Sequence, residues 1–376
     1  MSQVSTITRV RRDEANVETL ASLYEQLRAQ QDTKLDYLVD TRMMTFSTEP
    51  GIDAGETSAI SSLTFDADGG IVSGPINDHA HNQIAQRLAI PRKYYDRMRV
   101  EAPGLLDTNV GHWFVNAPET RMVRMLDGNV RALMGSRYKR RDNLDLVEQA
   151  ILPAFGSRPD MFHFQVASLT PERLVIRALC PSVTREVEVG DVVQAGIQIT
   201  NSEVGKSSLS VTPFVWRLRC LNGMVVNDRA MRAYHVGGVQ ESDEHGRIYQ
   251  DDTMEADDRA FFLKARDAIL AAVDDTVFGE VVELMRAATD GAMVQQPVAA
   301  TQRLADSRGL GDAERDAILA SLIGAGDLLW WGVVNAVTDA AKQATSFDRQ
   351  VEMEALGYDL LRAPRAERNA VAFATA

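Results

Sequence analysis

Apolar and polar positions in the first hundred residues follow helical spacing in some stretches and extended spacing in others. Residues 14–31 carry apolar side chains at steps of three and four, which predicts an amphipathic helix. The β-prone run 34–46 and a Gly-, Ser- and Asp-rich stretch over 49–74 predict strands and turns. Helical spacing returns over 77–89 and again over 93–100. An N-terminal α/β segment is therefore predicted.

The middle of the chain is dominated by β-prone runs. Three of them cover 111–116, 121–126 and 130–134, and an Asp-Gly pair between the last two predicts a hairpin turn. A helix is predicted over 142–155, after which further strands follow. These later strands are predicted over 162–167, 173–178, 184–189, 192–201 and 207–220.

The last third of the chain has helical spacing. Its predicted helices cover 257–273, 276–289, 296–308, 312–322 and 327–344. The last of these helices is apolar around most of its circumference, which predicts that it is buried. Trp330 and Trp331 are adjacent and cannot point the same way. We therefore expect one to pack on the sheet and the other on a helix or a second subunit.

These patterns predict the fold class α+β, with a mostly antiparallel sheet in the middle of the chain. Three regions are distinguished. They are an N-terminal α/β segment over 1–105, a strand-rich core with a basic hairpin over 106–245, and an acidic helical region over 246–376. A length of 376 residues fits two or three units of this kind.

Composition narrows the class of protein. With 45% apolar and 25% charged residues, the chain has the balance of a globular protein. No apolar run approaches the roughly 18 residues of a membrane span, and the first residues lack the apolar core of a secretory signal. A cytoplasmic protein without membrane association is expected. Cys180 and Cys220 are the only cysteines, so neither a disulfide framework nor a zinc finger is predicted.

The formal net charge of −13 is distributed unevenly. Residues 1–240 hold 27 Lys and Arg against 28 Asp and Glu, whereas residues 241–376 hold 13 against 25. Within the first part, residues 105–240 are mildly basic, with 16 cations against 13 anions. The total charge argues against a nucleic-acid partner, but its distribution leaves such a partner possible for the middle of the chain.

The most concentrated basic segment, residues 134–142 (MGSRYKRRD), lies between a predicted strand and a predicted helix. Four cations surround Tyr138 there, namely Arg137, Lys139, Arg140 and Arg141. Such a cluster suits a nucleic-acid strand, because cations neutralise phosphates and an aromatic ring stacks on a base. The alternative is a solvated turn whose cations pair with nearby Asp142, Asp145 or Glu148, and the sequence favours this alternative slightly.

Further arginines in the predicted strands would extend a nucleic-acid surface if folding brought them together. These are Arg121, Arg124 and Arg131 in the hairpin, and Arg217 and Arg219 beside Trp216. Because side chains alternate along a strand, Arg217 and Arg219 share one face and Arg121 and Arg124 lie on opposite faces. An ordinary sheet with one solvated face fits this pattern equally well.

Residues 82–98 are superficially similar to a helix-turn-helix, with a small residue at Ala85 and a turn near Ala89. A second helix carrying basic residues could lie in a major groove. Those residues are Arg92, Lys93, Arg97 and Arg99. Since this helix is short and opens after a proline, a structural helical pair with exposed charges is favoured.

Signals for catalysis are few. His79 and His81 form a His-x-His pair without a partner at metal-ligand spacing, and no nucleophile elbow, phosphate loop or dinucleotide motif is present. The sequence therefore predicts no cofactor and no metal, and it favours a protein that is not an enzyme.

A last polar segment, Asn201 to Lys206, interrupts a β-prone run. Asn201 and Glu203 either bind a ligand or satisfy a tight turn, and the structural role is favoured.

Five segments together resemble the phage/plasmid-like domain-of-unknown-function family. The segments are AQRLAIPRKYY from 85, RALMGSRYKRRDN from 131, NSEVG from 201, RCLNGM from 219 and WGVVNAVT from 331. They run in order, and the resemblance covers most of the chain from about residue 35 to 365. At position 89 the family usually has Gly, whereas this chain has Ala89. The resemblance implies a mobile-element protein in the host cytoplasm, of a kind found near replication and recombination functions.

Single-stranded DNA binding is the leading hypothesis, with strand annealing in the manner of ring-forming recombination annealases as its extension. That comparison is an analogy of element order. The expected partners are single-stranded DNA, further copies of the chain as a homo-oligomer, and a host replication or recombination protein. In this hypothesis the acidic helical region faces away from the DNA. The alternative is a non-enzymatic interaction factor that acts on a host protein through those acidic helices.

Overall fold

The computed structural model describes residues 15–17, 19–49, 59–67, 69–227, 231–233 and 251–375. It has an α+β architecture. The strands are β1 Ala15–Val17, β2 Leu35–Asp40, β3 Met44–Glu49, β4 Ile60–Ala67, β5 Gly70–Pro75, β6 Thr120–Leu126, β7 Asn129–Gly135, β8 His163–Leu169, β9 Leu174–Glu186, β10 Val192–Asn201, β11 Leu209–Arg217, β12 Asn222–Val225 and β13 Met231–Ala233.

The helices begin with α1 Leu20–Gln31, α2 Asp78–Arg87, α3 Arg92–Glu101 and α4 Pro103–Asn116. A continuous helical stretch then comprises α5 Asn143–Leu146, a π-helical segment Val147–Ile151 and α6 Leu152–Ser157. The C-terminal helices are α7 Asp251–Ala271, α8 Asp275–Thr289, α9 Pro297–Arg308, α10 Asp312–Ala325, α11 Trp330–Ala340, α12 Phe347–Leu361 and α13 Arg365–Ala372. None of the described helices is both long enough and apolar enough to cross a bilayer.

Seven of the described strands form one antiparallel sheet in the order β1-β8-β9-β10-β11-β12, with β13 also paired to β11. One face carries Ile176, Ile197 and Val211, which pack on α1, the π-helical segment and α7. On the opposite face, the Arg177 guanidinium donates hydrogen bonds to the Gln198 side chain and to Glu354 of α12. Because both faces are covered, β10 is buried along most of its length rather than alternating with solvent.

Two smaller antiparallel sheets, β2-β6-β7 and β3-β4-β5, share a core with α2, α3 and α4. Strand β6 pairs with β2, so the basic hairpin β6–β7 belongs with the N-terminal elements. Its turn has positive φ at Asp127 and Gly128, as a two-residue hairpin requires, and the predicted hairpin is confirmed. The division predicted at residue 105 lies inside α4.

Some predicted elements differ from the structure. The run 111–116, predicted as a strand, is the C-terminal part of α4: Leu106, Val110 and Phe114 are buried at steps of four, and this spacing outweighs the β-prone composition. The predicted strand 34–46 is broken into β2 and β3 by a single 3₁₀ turn. The last part of the predicted strand-rich core, 234–245, lies outside the described residues.

The two adjacent tryptophans point in different directions, as predicted. The Trp330 indole donates a hydrogen bond to the Leu360 carbonyl at the end of α12, 3.0 Å away. The Trp331 indole lies 3.3 Å from a carboxylate oxygen of Asp191, which precedes β10 of the large sheet. Both side chains are buried, so α11 joins the sheet to the helical layer.

Ala89 occupies a backbone conformation that favours glycine. It follows the last turn of α2 with a φ of 53°. A left-handed conformation costs an L-residue about 1–2 kcal/mol, and glycine avoids this cost. We expect Ala89→Gly to raise the free energy of unfolding by about 1 kcal/mol in a urea titration, after the entropy of the unfolded glycine is subtracted. The control Ala320→Gly, on the exposed face of α10, should lower it by about 1 kcal/mol. Equal losses in both variants would contradict the argument.

Candidate nucleic-acid interface

The hairpin arginine Arg124 is inside the protein, with none of its side chain exposed. In the register of β2 and β6 it stands directly opposite Asp36, whose two carboxylate oxygens accept hydrogen bonds at 2.8 and 3.0 Å. It also donates to Asp142 at 2.8 Å and to the Glu203 carbonyl at 2.7 Å. Burial alone would lower the pKa of Arg124, but Asp142 and Asp36 outweigh burial and raise it.

The Arg131 guanidinium also lies beside Glu203, because a β-bulge changes the direction of its side chain. The pairing of β6 with β7 shifts by one residue between Arg124 and Met125, and Arg131 is the extra residue. Its guanidinium lies 2.7 Å from the Glu203 carboxylate. Strand alternation alone does not predict this orientation, since a bulge places two successive side chains on one side.

Glu203 is the centre of the buried charges. One carboxylate oxygen accepts a hydrogen bond from Lys34 at 2.6 Å and another from the Asn143 backbone N–H, at the start of α5, at 2.7 Å. The other oxygen faces Arg131. Burial would raise the pKa of Glu203, but Lys34 and Arg131 outweigh burial and hold it at about 2.

We call these side chains the junction network. Its members are the cations Lys34, Arg124 and Arg131 and the carboxylates Asp36, Asp142 and Glu203. The network joins the β2-β6-β7 sheet to the loop between β10 and β11, and its formal charges balance. Arg124 and Arg131 were predicted to contact phosphates. The structure corrects that prediction for both, because neither has a surface that a phosphate can reach.

Asn201 is also used inside the protein. Its side-chain amide donates to the Arg141 carbonyl at 3.1 Å and to the Asn143 side chain at 2.9 Å. Like Glu203, it lies at the end of β10 and is buried. Of the two roles left open by the sequence, these contacts match the structural one.

Tyr138 is half-buried. Its ring packs on Met122, Met134 and Val204, and its hydroxyl donates to the Ser202 carbonyl at 3.1 Å. Burial raises the pKa of this hydroxyl. Since the ring is packed on this cluster, the predicted stacking role has little support at this position.

Two further cations of the basic segment are paired with the N-terminal half of α7. The Arg141 guanidinium lies 3.5 Å from the centre of the Phe261 ring and within 4 Å of Asp257 and Asp258. Burial lowers the pKa of Arg141 despite these carboxylates. Lys139 forms an ion pair with Asp257. The partners of Lys139 and Arg141 therefore include carboxylates of α7 that the sequence did not suggest, and part of the acidic helical region lies beside the basic segment rather than facing away.

Arg137 and Arg140 are the exposed cations of the segment. The Arg140 side chain is 61% exposed, and its guanidinium is 3.6 Å from Asp36. Nearby, Lys206 follows Gly205 on the loop that carries Val204 and is exposed, with its ammonium 3.1 Å from Glu172. These three residues lie on the solvent side of the junction network.

The remaining predicted arginines do not join this group. Arg121 pairs with Glu119 at 2.9 Å on the other face of β6 from Arg124. Arg217 donates two hydrogen bonds to Asp191, at 2.5 and 2.7 Å, and lies over the Trp331 ring. Arg219 is exposed, but β11 ends at Arg217, so Arg219 belongs to a turn and the predicted shared strand face is wrong.

The two helix-start histidines are buried in α2. A ring nitrogen of His79 hydrogen-bonds the Val204 carbonyl at 2.8 Å, and His81 hydrogen-bonds the Tyr95 hydroxyl at 2.8 Å. Burial, with Arg99 and Arg92 nearby, lowers the pKa of His81 to about 3. Within the part of the chain that the structure describes, no group of three or more His, Cys, Asp or Glu side chains is placed to hold a metal ion.

Sequence reasoning missed Lys34 and Asp36, which complete the junction network. Each stands at the edge of a β-prone run, where a charged residue is ordinarily exposed to solvent. An Asp directly opposite an Arg is visible only once β2 is known to pair with β6. Comparison with known proteins adds nothing to this picture: no protein-family model matches the chain, and neither a curated protein nor a solved structure is significantly similar to it.

Proposed function

We propose that the protein binds single-stranded nucleic acid without catalysing a reaction, through a surface formed by Arg137, Arg140 and Lys206. The observation that carries the proposal is the exposure of these three cations on two adjoining loops above the junction network. Cations that neutralise phosphates release counterions, which supplies sequence-independent affinity. The mobile-element context implied by the family resemblance fits such a function.

The loop bearing Arg137 and Arg140 is held in place on both sides. Gly135 accepts the Tyr138 backbone N–H at 3.0 Å, and Arg141 is buried against Phe261. A held loop presents its cations without a large loss of chain entropy on binding. The contact of Arg140 with Asp36 is long, at 3.6 Å, and its Arg140 end is exposed, so it contributes little and a phosphate can take its place at small cost.

Fluorescence anisotropy of labelled single-stranded and duplex DNA over a salt series tests the proposal. We expect binding to weaken linearly in log salt, with single strands preferred. The double variant Arg137→Ala/Arg140→Ala should reduce affinity about tenfold and flatten the salt slope by about 1.4, since each phosphate contact on a single strand contributes about 0.7.

A charge-matched control is Arg303→Ala/Arg365→Ala, which removes two exposed arginines from the C-terminal helices. This control should bind as the unaltered protein does. Absence of binding at low salt, or equal losses in the two double variants, would show that the surface is not the binding site.

Protein interaction is the second candidate function, and one surface favours it. Met293, Val298 and Phe373 are each more than half exposed. They lie around the hydrogen bond from the Gln295 N–H to the Ala372 carbonyl. Exposed apolar side chains that lie together are typical of contact surfaces. Particle mass measured on the same samples tests self-association, because a homo-oligomer gives a multiple of the 41.4 kDa chain mass.

A further inference from the structure

Helix α3 presents an aromatic and two cations on one exposed face. Lys93, Tyr94 and Arg97 are exposed, whereas Tyr95 and Met98 point into the core. Tyr94 is 49% exposed, whereas the Tyr138 ring packs against a buried apolar cluster. An exposed ring flanked by cations is the combination that stacks a base and holds the adjacent phosphates.

The segment that contains α2 and α3 carries a net positive charge. Residues 78–101 contain five Lys and Arg against three Asp and Glu, in a chain that is strongly acidic as a whole. Arg97 pairs with Glu101 at 2.7 Å, one turn further along the helix, and both side chains are more than half exposed. An exposed pair of this kind contributes little to stability, so it does not withhold Arg97 from a phosphate.

A series of contacts connects the start of α3 to the loop that carries Lys206. Lys206 contacts Glu172, and Glu172 lies 4.0 Å from His79 in the first turn of α2. The preceding residue, Asp78, forms an ion pair with Arg92 at the start of α3. The N-terminal turn of α2, with the carboxylates Glu172 and Asp78, therefore lies between the two basic surfaces.

We propose that a single strand bound at Arg137, Arg140 and Lys206 continues over the start of α2 to α3, where Tyr94 stacks a base and Lys93 and Arg97 hold phosphates. This inference rests on the proposed function and adds a second contact region to it. It assigns the stacking role to Tyr94, because the Tyr138 ring is packed on its neighbours. The basic residues of α3 then bind a single strand and do not need to enter the major groove of a duplex.

Oligonucleotide length separates the two regions. With labelled oligo-dT of about 6 nucleotides, near the lower end of typical site sizes, and of about 20 nucleotides, above their upper end, only the longer strand can occupy both regions. We expect Tyr94→Ala and Lys93→Ala/Arg97→Ala each to weaken binding of the longer strand about tenfold and to leave the shorter strand unaffected. Tyr94→Phe should retain the affinity, because stacking needs the ring and not the hydroxyl.

The Ile323→Ala variant removes an exposed apolar side chain of α10, outside both proposed surfaces, and serves as the control. If the longer strand binds no more tightly than the shorter one, or if the α3 variants bind it normally, the second region is wrong while the proposed function stands. If Arg137→Ala/Arg140→Ala leaves both lengths unaffected, the proposed function itself fails. Tighter binding of a 20-base-pair duplex than of the single strand would overturn the assignment of α3 to single strands.

Discussion

Glu203→Ala is expected to lower the free energy of unfolding by about 3–5 kcal/mol, measured by urea denaturation at pH 7. The reason is that Lys34 and Arg131 would remain buried after their shared carboxylate is removed. The Asn143 N–H at the start of α5 would also lose its acceptor. An unpaired buried charge costs more than the ion pair itself contributes, so the loss should exceed that of an ordinary polar substitution.

The matched control is Glu101→Ala, which removes an exposed carboxylate with one arginine partner. It should change the free energy of unfolding by less than about 0.5 kcal/mol. A loss below about 1 kcal/mol for Glu203→Ala would mean that the cations of the junction network are solvated after all.

Glu203 also makes the stability of the folded protein depend on pH. Because the pKa of Glu203 is lowered from 4.5 to about 2 in the folded protein, its charged form stabilises the fold above pH 4.5. That stability is lost as the pH falls from 4.5 towards 2. Glu203→Gln should show a flatter decline over this interval, since an amide does not titrate.

Gly332→Ala is expected to lower the free energy of unfolding by about 3 kcal/mol, the upper end of the range for overpacking. A Cβ atom on Gly332 would overlap the carbonyl oxygen of Asp327. That backbone cannot move aside freely, because the next carbonyl, at Leu328, accepts the Val294 N–H at 2.8 Å. The expected signature is a lower urea midpoint and a loss of near-ultraviolet dichroism from the adjacent Trp331.

Gly324→Ala provides the comparison, since Gly324 also lies in a helix but has open space where the Cβ would be. Alanine there should stabilise α10 by up to about 1 kcal/mol. Similar effects of the two substitutions would contradict the overlap at Gly332 and would point to helix propensity alone.

Local spacing accounts for what could be predicted of the fold. The helices of the last third and the hairpin at Asp127 follow from periodicity and turn chemistry, which act within a few residues. Residues 111–116 were assigned wrongly because Trp113 and Val115 are β-prone and exposed, whereas the helical signal lies in Leu106 and Val110, outside the window. The split between β2 and β3 depends on one 3₁₀ turn capped by Asp40, for which the sequence offers no strong signal.

The candidate site was less predictable, because burial of a charge depends on partners that are distant in sequence. Arg137 and Arg124 are the same residue type in basic segments, yet Arg137 is exposed and Arg124 is enclosed by Asp36 and Asp142. The orientation of the Arg131 side chain also depends on a β-bulge, which no residue type in the sequence predicts. The pattern correctly located a basic segment at a strand-to-helix junction, but it could not separate the cations that serve the fold from those that face solvent.

The sequence separations within the junction network have a consequence for how the protein folds and unfolds. Lys34 and Glu203 are 169 residues apart, and Arg124 and Asp36 are 88 apart, so the network forms only after the hairpin, β2 and the β10–β11 loop are all in place. Interactions that form after the rate-limiting step slow unfolding and leave the folding rate nearly unchanged. We therefore expect the network to act mainly on the lifetime of the native state, so that its loss shortens the time for which the β2-β6-β7 sheet stays joined to the β10–β11 loop.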